Sequence, residues 1–183
     1  MKYILKHLRR TKNMSLVFEN GELRVWGYID SDFMSDINDW KSTSDSIFLC
    51  NGGAMSWKNF KQTVIADFTI EAEYIAASKA MKKALWFKKF VADLDVMPSD
   101  AILLYYDNND AIALSKELRS HKKFKHIERW FHLICDYLEK GYVEVKRVDS
   151  TDNMADALMK QLSQQKIETH LEKMGLKFMV NWL

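Results

Sequence analysis

Residues 101–107 read AILLYYD, an unbroken apolar run closed by Asp107. The run has strand length and no polar alternation, as expected of a strand covered on both faces. Its flanks support that. Upstream, TIEAEYIAASKAMKKALWFKKF (69–90) contains neither Pro nor Gly and reads as a long helix ending near Asp93, with Pro98 beyond it as a stop. Downstream, NNDAIALSKEL (108–118) resumes helical spacing, and KHIERWFHLICDYLEKG (125–141) is a strongly amphipathic helix closed by Gly141. YVEVKRV (142–148) then alternates as a strand. A last helix starts within STDNMADALMKQL (150–162), where Ser150, Thr151 or Asp152 can cap it, and continues to about Met174.

Toward the N-terminus, LVFENGELRVWGYID (16–30) carries an Asn-Gly turn signal between two apolar runs, which predicts a hairpin. SDFMSDINDWKSTSD (31–45) reads as a loop, and SIFLCNGGAMSWK (46–58) as strand, Asn-Gly-Gly turn, strand. The order is therefore three strands, helix, strand, helices, strand, helix. Hairpins followed by crossover helices predict an α/β fold, a mixed sheet with helices on its faces.

A chain of 183 residues is one domain by size and long enough for a real core. The net charge of +2 means that a nucleic-acid partner has to be held by local basic patches. Cys50 and Cys135 form no motif, no apolar run has the length of a membrane span, and no secretory signal opens the chain. Free thiols, no membrane partner and a cytoplasmic location, with the nucleus as the alternative, are the expectations. The opening MKYILKHLRRTK is a basic segment with a short stripe of Ile4, Leu5 and Leu8, suited to a targeting role or to a leftover helix of a larger polyprotein.

Acids recur where elements end. Asp30 closes a strand, Glu73 lies early in the long helix, Asp107 ends the apolar run and Asp156 lies in the first turn of the last helix. Such ends meet at one edge of an open α/β sheet. Clustered carboxylates repel unless a cation neutralises them, and an all-oxygen donor set suits Mg²⁺ or Mn²⁺. Two such ions roughly 4 Å apart make a phosphodiester-cleaving centre. Taken singly, each acid also suits a helix dipole or a turn. Strand parity puts Asp30 on the face of Trp26 and Tyr28, leaving Asp36 and Asp39 as loop acids. Glu71 and Glu73, two apart on a helix, face opposite ways. The side of Glu73 carries Ala77, Ala80, Ala84 and Val91 and suits close packing on a sheet. The side of Glu71 carries Ser78, Lys82 and Lys89, so Glu71 is expected to face water.

The blocks GYIDSDFMSDINDWKSTSDSIFLCNGGAMSWKNFKQTVIADFTIEAEYIAASKA (27–80), YYDNNDAIALSKE (105–117), SHKKFKHIERWFHLI (120–134) and NMADALMKQL (153–162) resemble the ribonuclease H domain of a Ty1/copia-type retrotransposon Pol polyprotein. The resemblance implies a ribonuclease H-like mixed five-stranded sheet with helices on both faces. It also implies an endoribonuclease that hydrolyses the RNA strand of RNA–DNA hybrids with two Mg²⁺ ions (or Mn²⁺). On the family's motifs, Asp30, Glu73, Asp107 and Asp156 carry the catalytic and metal-binding roles. The first residues resemble the tail of the preceding reverse-transcriptase segment, a partner within the parent polyprotein. The implied division is 1–22 as that residual segment, 23–176 as the ribonuclease H-like domain and 177–183 as a tail. Departures include Asp45 and Ser46 at the family's Gly and Tyr positions, Phe68 and Ile70 before the helix, and Met159 and Gln161 in the last block. They support a second reading, a degenerate or domesticated remnant that binds nucleic acid or a protein without cleaving.

Lys122, Lys123, Lys125, His126 and Arg129 form a basic segment that can neutralise phosphates, the alternative being a solvated loop. By the resemblance, His121 or His126 is the candidate proton shuttle. His132 and Cys135 share a helix face, but no further ligands stand near them for zinc.

Overall fold

A computed structural model describes residues 2–19, 23–95, 100–107 and 128–179. Five strands form one mixed sheet: β2 (Val25–Asp32), β3 (Thr43–Cys50), β4 (Gly53–Lys61), β5 (Ile102–Tyr106) and β6 (Val143–Arg147), in the order β4-β3-β2-β5-β6. The β2, β3 and β4 strands are antiparallel neighbours, whereas β5 runs parallel to both β2 and β6. The β3–β4 hairpin turns at Asn51 (φ 48°) and Gly52 (φ 73°). Two successive positive φ values match the right-handed twist of the flanking strands, which is why an Asn-Gly pair stands there.

The AILLYYD run is the inner parallel strand β5, with Leu104 fully buried and Ile102 and Tyr106 nearly so. One face of the sheet is covered by α2 (Thr69–Asp93) and α3 (Glu128–Glu139), which enclose Val25, Ile29, Phe48, Leu104, Tyr74, Ala77, Ala80, Ala84 and Ile134. Three of the alanines predicted for the packing side of α2 thus lie in the core, where small side chains let the helix approach the sheet. On the other face Trp26, Tyr28, Ile47 and Leu49 pack against Met154, Ala157, Leu158 and Met174, from a 3₁₀ turn at Met154–Leu158 and the end of α4 (Gln164–Lys173). Helices therefore cover both faces of the five-stranded sheet.

Two expectations change. The segment before β2 does not pair with it, because both edges of β2 are already taken by β3 and β5. Instead β1 (Met14–Leu16) pairs antiparallel with β7 (Leu176–Phe178), after α1 (Lys2–Thr11). Gly175, at φ 82°, makes this junction: an added Cβ would lie 2.6 Å from the Val17 carbonyl oxygen and 2.7 Å from that of Gly52. The last helix is also broken in two. Asn153, not Ser150, Thr151 or Asp152, caps the 3₁₀ turn by accepting from the Ala155 amide, and Ser163 caps α4. Asp152 instead pairs with Lys173 at 2.8 Å. No helix among the described residues is long and apolar enough to cross a membrane.

Candidate metal centre

Parallel pairing of β2 with β5 sets Ile29 beside Tyr106, so Asp30 and Asp107 follow side by side; β2 runs on to Asp32, so Asp30 lies two residues inside its end rather than closing it. The Asn153 side chain donates to the Ile29 carbonyl oxygen at 2.9 Å while capping the 3₁₀ turn, and so draws Asp156 to the same edge. Asp30, Asp107 and Asp156 each present a carboxylate oxygen, all within 4.8 Å of one another. Asp30 and Asp156 are buried and Asp107 is half-buried. The cluster lies at the carboxyl ends of two parallel strands, where open α/β sheets place their sites. A hollow of about 440 Å³ lined by Arg24, Trp26, Tyr28, Tyr105 and Lys146 opens toward the other ends of the same strands.

Glu73 is not one of these three. It is buried on α2, and its Oε2 accepts a 2.5 Å hydrogen bond from the Tyr106 hydroxyl. Burial first, then the charge and bond of Glu73, hold the Tyr106 phenol well above its ordinary range, with Asp30 and Asp107 adding to the effect. Tyr106 thus stands electrostatically between Glu73 and the aspartates.

Glu71 does not face water. It is 6% exposed, and its Oε2 accepts from the Asp67 amide at 2.7 Å. The preceding loop folds back over the helix start: Gln62 donates to the Ala72 carbonyl oxygen and to Ser44 Oγ, and Phe68 at the N-cap offers no side-chain bond. Glu71 therefore satisfies a backbone donor at a helix N-terminus, as a capping glutamate does. Ser78 is buried too, donating to the Ile75 carbonyl oxygen, so the water-facing side begins only at Lys82.

Two further residues adjoin the centre: Lys160, which motif reading passed over, and Asp45, which it noted only as a departure. Lys160 Nζ sits 2.7 Å from Asp156 Oδ1 and 3.2 Å from Asp30 Oδ2. Burial pulls its ammonium down, but the bonds and charges of Asp156 and Asp30 hold it above the usual lysine range. The spacing of four from Asp156 was the visible signal. Asp45, directly opposite Asp30 in the β2–β3 ladder, is 1% exposed, and among the described residues neither of its oxygens accepts a well-formed hydrogen bond. Burial pushes the Asp45 carboxyl up to about 7, against the nearby Asn59 amide. Burial likewise raises Asp30 to about 8, reinforced by Asp156 and opposed by Lys160.

Asp36 and Asp39 are loop acids paired with Lys61. Arg129 lies exposed at the start of α3. His121, Lys122, Lys123, Lys125 and His126 lie outside the described residues.

No family model matches the chain. It is 34% identical over 176 residues to the retrovirus-related Pol polyprotein from transposon TNT 1-94 of Nicotiana tabacum, covering 96% of this chain and 13% of that one. Against the Pol polyprotein from transposon RE2 of Arabidopsis thaliana the identity is 27%, over 96% of this chain and 12% of the relative. The chain thus spans about an eighth of these relatives' length. Among solved structures, the ribonuclease H1 of Halobacterium salinarum aligns with a TM-score of 0.54 at 21% identity, covering 74% of this chain and 93% of that one. LC11 ribonuclease H1, isolated from compost, aligns with a TM-score of 0.56 at 15% identity, covering 81% and 98%. The chain thus resembles segments of retrotransposon Pol polyproteins over nearly its whole length and shares the ribonuclease H fold, consistent with a ribonuclease H domain of the Ty1/copia type.

Proposed function

We propose that this domain is a Mg²⁺-dependent endonuclease that hydrolyses the RNA strand of RNA–DNA hybrids. The observation that carries the reading is the convergence of Asp30, Asp107 and Asp156 at one sheet edge. The donor set fits a hard divalent cation: it is all oxygen, it is crowded, and among the described residues its counter-charge is the Lys160 ammonium. When bound there, a pair of Mg²⁺ ions would activate a water and stabilise the leaving oxygen of a phosphodiester. Asp30, Asp107 and Asp156 would hold the ions. Glu73, fixed by the Tyr106 hydroxyl, would join from α2. Lys160 offsets the carboxylate charge and supplies a cation beside the scissile phosphate. The substrate class follows the fold family, and LC11 ribonuclease H1 was solved in complex with an RNA/DNA hybrid.

Asp45 favours a second reading, a binding remnant without turnover. It buries a second carboxyl directly opposite Asp30, at a position where the resembled family carries Gly. The deciding measurement is Mg²⁺ titration of labelled-hybrid cleavage beside Asp107→Asn. Cleavage that saturates with Mg²⁺ and falls at least ~100-fold in the variant supports the hydrolase, a loss typical of removed electrostatic stabilisation. Hybrid binding without cleavage at any metal concentration supports the remnant.

A further inference from the structure

The outer side of α2 carries Lys79, Lys82, Lys83, Trp86 and Phe90, spaced to lie on one stripe about 16 Å long. Each lysine rests on an aromatic ring. Lys79 Nζ lies 4.2 Å from the centroid of Phe60 on β4, and Lys58 Nζ lies 5.0 Å from the same ring. Lys82 sits 5.1 Å from Trp130, and Lys83 sits 4.2 Å from Trp86, itself stacked on Phe90.

Ring contact, with no acid partner among the described residues, sets these lysines apart from the acid-paired ones. Lys61, Lys140, Lys173 and Lys177 each pair with an acid within 2.8 Å. Among the described residues, no carboxylate forms an ion pair with Lys58, Lys79, Lys82 or Lys83. Burial, then the charges of Lys58 and Lys82, pull the Lys79 ammonium below its usual range, a sign of like charges held together. Ring contacts fix the stems and leave the ammonium protons for an anion.

Position links the stripe to the carboxylates. Asp30, Asp45 and Asn59 stand in one row across β2, β3 and β4. Lys58 and Phe60 flank Asn59, and Phe60 meets α2 through Lys79. Two strand spacings put this edge roughly 10 Å from Asp30. Lysine is depleted in protein–protein contacts, whereas rows of unpaired lysine suit a phosphate backbone.

We propose that Lys58, Lys79, Lys82 and Lys83 form a phosphate-contacting track for the backbone of an RNA–DNA hybrid, distinct from the carboxylate centre. The choice of hybrid rests on the function proposed above; the track itself needs no metal. The test is fluorescence anisotropy of a labelled hybrid of about 18 base pairs in EDTA, where no cleavage occurs, between ~50 and ~200 mM KCl. The triple variant K58Q/K79Q/K83Q is expected to bind about tenfold more weakly at ~100 mM salt. Its slope of log K against log salt should be smaller by about 2 to 3, near 0.9 per lost phosphate contact. The control K140Q/K177Q, which removes acid-paired lysines, should match wild type. An unchanged slope in the triple variant overturns the track; a changed sedimentation coefficient would then mark the stripe as a protein contact. A wild-type protein with no salt-dependent hybrid affinity overturns it too. If the triple variant loses binding while wild type fails to cleave in Mg²⁺, the track stands and the hydrolytic reading falls.

Discussion

Asp30 and Asp45 face each other across β2 and β3, both almost fully buried, and only Asp30 reaches the Lys160 ammonium. Their carboxyls titrate near 8 and 7, far above the range of an unfolded chain. Between about pH 4 and pH 7 the unfolded chain has released both protons while the folded one still holds them, and up to about pH 8 it still holds that of Asp30. Stability is therefore complete below the unfolded pKa and is lost as pH rises through the folded values. In metal-free buffer the melting temperature should fall steadily from about pH 5 to pH 8, and Asp45→Asn should flatten that decline. A flat profile in the wild-type protein would show that the two carboxyls ionise normally. Strand parity made Asp30 legible beforehand. Asp45 was visible only as an odd residue where the family has Gly, since nothing in a single strand tells which residue its neighbour will oppose.

The 3₁₀ turn at Met154–Leu158 shows how one short element positions the centre. Asn153 uses both ends of its amide: the oxygen caps the turn and the nitrogen holds the Ile29 carbonyl, one residue before Asp30. Asn153→Ala should cost about 1–2 kcal/mol in denaturant unfolding, the sum of a lost cap and an orphaned buried carbonyl. It should also weaken Mn²⁺ binding about tenfold, as loss of a supporting shell does. An affinity equal to wild type would mean that Asp156 is placed by the packing of Met154 and Ala157 alone. A helix start was readable here from Ser150, Thr151 and Asp152, the expected caps. The cap is instead Asn153, the residue that also finds a strand carbonyl. On α2 the helical wheel separated Glu71 from Glu73 but assigned Glu71 to water. The wheel describes the helix and not the loop that returns over its first turn to meet Glu71.

At the scale of the molecule, two ends of the chain close on each other. Val17 donates to the Gly175 carbonyl oxygen, Glu19 to that of Asn51, and Ala54 to that of Met174, so Met14–Glu19 is tied to both β7 and the β3–β4 turn. The α1 helix, by contrast, buries no residue and exposes Tyr3, Ile4, Leu5 and Leu8. Deleting residues 1–12 should leave the melting temperature nearly unchanged. Extending the deletion to residue 19 should lower it by several degrees, by removing a strand and its backbone bonds. Equal melting temperatures for both truncations would show that the β1–β7 ribbon adds nothing to stability. By itself the sequence determined the class of the main elements, the hairpin turn at Asn51–Gly52, the buried character of β5 and the four acids near element ends. These follow from periodicity, turn chemistry and local spacing, which act over a few residues. Only the tertiary structure decided that β1 pairs with β7, that Glu71 is buried, that Asp45 opposes Asp30 and that Lys160 enters the cluster. Each depends on segments far apart in the chain meeting in space, and pairing register, not local preference, sets who meets whom.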